Sequence, residues 1–215
     1  MRRSAVTPQK YGGLASFLMA VSIPVAHLIY LAGNLRDMMG SFAYSLADFL
    51  YGPVWAVSLV AAVYALRERM GERAPRRMTL AFLIALAAAG MLVVVACIRA
   101  ANRHYHMIHP ELRLEESSAV LTVWTTLITG LIGAACHFLG WALLLIGSAG
   151  WTSRRLPRAL SAIYGVAGAV ALFVYQFPTL EGTVLVLLMV MGIWQGVLLW
   201  LPEPGLAEPA GTQAE

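Results

Sequence analysis

The sequence predicts an all-α fold, a polytopic transmembrane bundle of six helices with both termini on the cytoplasmic side. Three observations carry that prediction. Of the 215 residues, 60% are hydrophobic and only 12% charged, and the mean hydropathy is +0.72; soluble domains carry roughly 25% charged residues. Six apolar runs recur along the chain, each of about 20 residues and so long enough to cross a hydrocarbon core about 30 Å thick at 1.5 Å per residue. Finally, lysine and arginine fall unevenly between alternate connections. Backbone groups left unpaired in lipid are too costly to tolerate, so the runs are helices or barrel strands, and their continuous apolarity lacks the alternation of a barrel.

The spans are expected at residues 12–33, 42–66, 79–100, 119–147, 159–176 and 183–201, joined by short connections into one domain, with residues 202–215 forming a polar tail expected to be mobile. The first span follows Met1-Arg2-Arg3 and Lys10, the pattern that opens a signal peptide. It is about 20 residues long, however, carries Pro24 and His27, and lacks a small-x-small cleavage site, so an uncleaved span is expected.

Orientation follows from the basic residues. Eleven of the 15 (Arg2, Arg3, Lys10, Arg67, Arg69, Arg73, Arg76, Arg77, Arg154, Arg155, Arg158) belong to one face; Arg36, Arg99, Arg103 and Arg113 belong to the other. The positive-inside bias places the first set in the cytoplasm. It also accounts for the net charge of +4 and the pI near 9.3 without a nucleic-acid partner. The expected surroundings are membrane lipids, with other membrane subunits or a second copy as possible companions.

Ionisable side chains at membrane depth are costly and tend to mark function. Span one sets Gly13, Ser16, Ala20, Pro24 and His27 at helical spacing, a small, kinked face ending in a histidine. On span two Tyr44, Asp48, Tyr51 and Trp55 share a face beside Gly52-Pro53, a second expected distortion, and Asp48 is the acid inside a span. Span three reaches Arg99 near its exit. His27 and Asp48 lie about six residues from the outer ends of their spans, roughly 9 Å deep. An Asp48 to Arg99 ion pair with His27 and Tyr51 nearby is therefore expected, as an interhelical pin or as a ligand or proton site.

Span four carries Thr122, Thr126, Thr129, Gly133, His137 and Gly140, whose spacing of three and four residues keeps them on one face. Small residues allow close helix approach and threonines bond across it, so this stripe is expected inside the bundle. His137 sits well below His27 in depth, which disfavours the two as axial ligands of one haem. Cys97 and Cys136 fall within apolar runs and read as small buried packing residues.

The outer connection contains His104, His106, His109, Glu111, Glu115 and Glu116, ligand types suited to zinc or another divalent metal. His106 and His109 would share a helical face, whereas His104 and His106 would diverge. Neither an HExxH motif nor a phosphate-cradling loop, nucleophile elbow or dinucleotide fingerprint occurs. Lys10, the lone lysine, precedes the first span and cannot hold a retinal inside the bundle.

The stretch from His137-Phe-Leu-Gly-Trp-Ala-Leu-Leu-Leu-Ile-Gly through Ser153-Arg-Arg-Leu-Pro-Arg-Ala-Leu-Ser-Ala-Ile-Tyr-Gly-Val-Ala-Gly-Ala-Val resembles a widespread bacterial family of small six-span membrane proteins, known only as a domain of unknown function. The shared element is a Gly-punctuated span, an arginine turn with Leu-Pro-Arg, and a Gly/Ala-rich span. The resemblance implies a bacterial inner membrane and six helices and transfers no catalytic residue. The expected function is thus a non-enzymatic membrane component that binds a hydrophobic ligand or a partner complex. Transport through His27, Asp48 and Arg99 is the second reading, and an outer-face metal site at His106 and His109 the third.

Overall fold

A computed structural model describes residues 8–36, 40–108 and 118–201, all helices and short turns with no strand among them. Helix α1 spans Pro8–Arg36, α2 Gly40–Phe49, α3 Trp55–Met70, α4 Pro75–Ile108, α5 Ser118–Ser153, α6 Arg158–Phe173 and α7 Glu181–Trp200. A π-helical turn, Leu50–Val54, joins α2 to α3 into one continuous span. The expected distortion at Gly52-Pro53 takes this form because proline has no N–H for the ordinary ladder and its ring crowds the preceding turn. The Trp55 N–H instead reaches back to the carbonyls of Gly52 and Leu50.

Among the described residues, five helices are long and apolar enough to cross a membrane: Gln9–Gly33, Phe42–Met70, Pro75–Tyr105, Thr122–Ser153 and Pro178–Trp200. The sixth, α6, has 16 residues and rises about 24 Å. It stops at Phe173 rather than continuing to residue 176, and the chain turns ahead of Pro178. Proline disfavours helical geometry in the residue before it, and Phe177 accordingly lies at φ −128°, ψ 81°.

The helices form a closed ring. Neighbours pack in the order α1, α3, α4, α5, α6, α7, and α7 returns to α1. Its core is lined by α3 through Trp55, Leu59, Leu66 and Met70, by α4 through Met78, Ala81, Ala85 and Ala88, and by Ile146, Leu160, Leu188 and Met191. The alanines of α4 recur every three or four residues, so one narrow face is buried while Leu80, Leu83 and Leu86 point outward. Small residues set the closest approaches: a Cβ added at Gly168 of α6 would stand 2.8 Å from both the Gly140 carbonyl oxygen and the Leu144 nitrogen of α5.

Polar ties brace the ring from within. The Tyr164 hydroxyl donates to the Gln195 side-chain oxygen, and Gln195 Nε2 donates to the Ala62 carbonyl at 3.1 Å, linking α6, α7 and α3. At the arginine-rich end, Arg69 Nη1 donates to Leu198 O at 2.7 Å and Arg73 Nη1 to Ser153 O at 2.8 Å. Both acceptors lie in the last turns of α7 and α5, where helix carbonyls lack intrahelical partners and the dipole favours a cation.

Gly168→Ala should lower stability by about 1–3 kcal/mol, because backbone atoms of α5 block the added methyl group. Gly165→Ala on the same helix, where the methyl meets nothing within 4 Å, should be neutral or slightly stabilising. Unfolding midpoints of both variants in mild detergent measure the difference.

Candidate functional site

Charged side chains gather at the end of the bundle opposite the arginine-rich connections. Asp48 comes from the last turns of α2, while Arg99 and Arg103 stand one turn apart on α4 and therefore share a face. Arg103 Nη1 lies 2.5 Å from Asp48 Oδ2, and Arg99 Nη1 3.5 Å from Asp48 Oδ1. Asp48 is 14% exposed, against 24% for Arg103 and 34% for Arg99. Two guanidinium groups thus surround one largely desolvated carboxylate, and Arg103 holds the shorter contact.

Gly52 explains how α4 comes so near. Its missing side chain admits Ala96, since an added Cβ would run into the Ala96 methyl group. That approach brings the end of α4, carrying Arg99 and Arg103, alongside α2. One turn beyond Asp48, the Tyr51 hydroxyl donates to Glu181 Oε1 at 3.2 Å, joining the π-turn to the first residue of α7. Tyr51, Trp55, Cys136, Glu181 and neighbouring apolar side chains enclose a cavity of about 20 Å³.

His27 does not join this cluster. It is exposed on α1, on the outer surface of the ring. The α5 stripe likewise divides. Gly133 meets Tyr175 and Gly140 meets Gly168 and Leu172, as expected of interior small residues. Thr122, Thr126, Thr129 and His137 are exposed instead of lying inside the bundle. The reason for the threonines is length: α5 has 36 residues and α6 only 16, so α5 runs past Gly133 with no α6 across from it. His137 Nε2 accepts from Trp141 Nε1 one turn along the same helix, at 3.2 Å.

Of the outer-connection candidates, His104 is exposed at the end of α4. The His106 side chain, His109 and Glu111 lie outside the described residues, as does the tail 202–215. Among the described residues, no three His, Cys, Asp or Glu side chains come together as metal ligands. Cys97 is exposed rather than buried, because it falls on the outward face of α4, whereas half-buried Cys136 borders the small cavity.

A second concavity opens sideways between α1, α3 and α4. It measures about 730 Å³, with a floor of Gly12, Ala56, Ala61, Ala89 and Gly90, well within the roughly 300–1,000 Å³ of ligand sites. Gly90, beside which an added Cβ would meet nothing within 4 Å, and the alanines of α3 and α4 leave this space between larger side chains. Tyr11, Tyr64 and Phe82 frame its mouth toward the arginine-rich end, where Tyr64 meets Phe82 edge-on at 6.0 Å. The Arg67 guanidinium sits 5.8 Å above the Phe82 ring.

No family model matches the chain, and neither a curated protein nor a solved structure does. The site therefore stands on its geometry. Arg103, Glu181 and Cys136 belong to it although sequence reasoning did not assign them, whereas Trp55 was already placed on the face of Asp48 and Tyr51. Arg103 carried a usable signal in its four-residue spacing from Arg99. Glu181 sits just ahead of the apolar run it caps, where an acid reads as a connection residue.

Because Arg103 makes the shorter contact, Arg103→Ala should destabilise the protein by roughly 1–3 kcal/mol and Arg99→Ala by less. In an Asp48→Asn background the Arg103 effect should shrink to a fraction of that value. A double-mutant cycle on unfolding midpoints provides the check; equal losses at the two arginines would refute the assigned geometry.

Proposed function

We propose that this protein is a non-enzymatic, multi-pass component of a bacterial inner membrane that holds one long-chain anionic amphiphile of the cytoplasmic leaflet. The observation that carries this reading is the lateral groove between α1, α3 and α4. Its walls are apolar and it opens sideways, so an acyl or isoprenoid chain could enter without crossing water. The resemblance at residues 137–170 supports the bacterial setting, and the 11-to-4 bias of basic residues supports a cytoplasmic location for both termini.

The charge at the mouth favours an anionic headgroup. Lys10 stands beside Tyr11 at the start of α1, and Arg67 lies over Phe82 on the opposite rim. Aromatic rings at headgroup level and cations above them are what an anionic amphiphile meets well. A chain seated here would fill space next to Gly90, where nothing stands within 4 Å of an added Cβ.

That vacancy supplies the test. Gly90→Leu should fold normally yet weaken binding of a spin-labelled anionic lipid at least tenfold, since its side chain would occupy the groove. Arg67→Gln should weaken binding of an anionic lipid several-fold and leave a zwitterionic lipid of the same chain unchanged. Binding of the wild type no tighter than that of Gly90→Leu would sink the reading.

A further inference from the structure

Trp55 begins α3 immediately after the π-turn and is 3% exposed, yet its indole Nε1 has no hydrogen-bond acceptor. A buried N–H left without a partner costs on the order of 1–3 kcal/mol, so native structures rarely leave one. Trp55 lines the cavity of about 20 Å³ that also touches Tyr51, Cys136 and Glu181. A cavity needs roughly 10–15 Å³ and two to four polar neighbours to hold a water. This one is large enough, and the residues that line it include a tryptophan, a glutamate, a tyrosine and a cysteine.

We propose that this cavity holds a single water bridging Trp55 Nε1 to the Glu181 carboxylate, and that Glu181 thereby forms a proton-exchange site distinct from the lateral groove. With Glu181 ionised, its Oε1 accepts the Tyr51 O–H, the water accepts the Trp55 N–H and donates to the carboxylate. When a proton arrives from the aqueous phase at this end, it adds to a Glu181 oxygen, and the new O–H donates to the water. The water then turns its hydrogens away from Glu181. No bond other than the O–H forms or breaks, and Tyr51 keeps its proton throughout.

The surroundings suit a site that exchanges protons while staying ordered. Glu181 is half-buried, at the first turn of α7, so it retains a path to solvent while its inner side faces the cavity. Tyr51 from the π-turn and Cys136 from α5 face it, and Arg99 of α4 acts within electrostatic range of Tyr51. Ala135, Leu92, Leu188 and other apolar residues make up the rest of the lining. The π-turn matters because it sets both Tyr51 and Trp55 toward the same cavity; such turns recur at functional positions in helices.

The test labels the full-length protein with 5-fluorotryptophan in lipid nanodiscs and follows fluorine NMR from pH 4 to pH 9. The resonance absent from Trp55→Phe identifies the reporter. Expected is a sigmoidal shift of that resonance with pH, abolished in Glu181→Gln, and a pH-dependent carboxylic C=O infrared band that Glu181→Gln also removes. Should Glu181→Gln fail to fold, Ala135→Val serves in its place, because its added methyl groups occupy the water's space. In Ala135→Val the infrared band should persist while the Trp55 resonance loses its pH response. A Trp55 resonance that does not move, or that moves equally in Glu181→Gln or Ala135→Val, overturns the proposal.

Discussion

A polar group at membrane depth finds no bulk water, so its partner has to come from the protein itself or from an enclosed water. That constraint organises this bundle at three levels. At one end, Arg69 in the last turn of α3 and Arg73 of the α3–α4 connection satisfy carbonyls in the last turns of α7 and α5. Within the ring, Gln195 ties α7 to Tyr164 of α6 and to the Ala62 carbonyl of α3. At the far end Asp48 meets Arg99 and Arg103, and Tyr51 meets Glu181. Apart from Tyr164–Gln195, which joins the consecutive helices α6 and α7, each tie joins segments distant in sequence. Apolar surfaces in lipid provide little preference between one helix arrangement and another, so these few directional contacts fix the ring's order.

Directional contacts of this kind require close backbones, which explains the distribution of small residues. Gly52 lets α4 approach the π-turn, and Gly140, Gly147 and Gly168 let α5 and α6 approach each other. The same economy of side-chain volume has an opposite result where three small-residue faces meet without a bulky partner. Between α1, α3 and α4 the glycines and alanines leave a groove instead of a seam. Whether a small residue closes a contact or opens a space depends on what stands across from it.

This dependence marks the limit of what the sequence made legible. An all-α bundle with several membrane-spanning helices followed from hydropathy, because length and apolarity are local properties. Asp48 and Arg99 could be matched by depth, since each lies a countable number of residues from a span end. Depth does not fix azimuth, however. His27 shares the depth of Asp48 but stands on the outside of α1. The threonines of α5 share a face with Gly133 and Gly140, yet the short α6 leaves that face uncovered beyond Gly133. Gln195 and Glu181 gain their roles from partners more than 30 and 100 residues away, respectively, a relation that periodicity cannot express.

The groove and the small cavity are separated by one wall. Ala56 and Val93 face the groove, while their chain neighbours Trp55 and Leu92 face the cavity. Consecutive residues on a helix project about 100° apart, so a single pair of helices, α3 and α4, presents one surface outward to lipid and another inward to the polar end. The π-turn sets the rotation of α3 that makes this division. Without the extra residue in that turn, Asp48 and Trp55 would stand in a different angular relation, and α3 could not offer Ala56 to the groove while Trp55 closes the cavity. The Gly52-Pro53 distortion is therefore the point at which the polar end and the lipid-facing groove become parts of one arrangement.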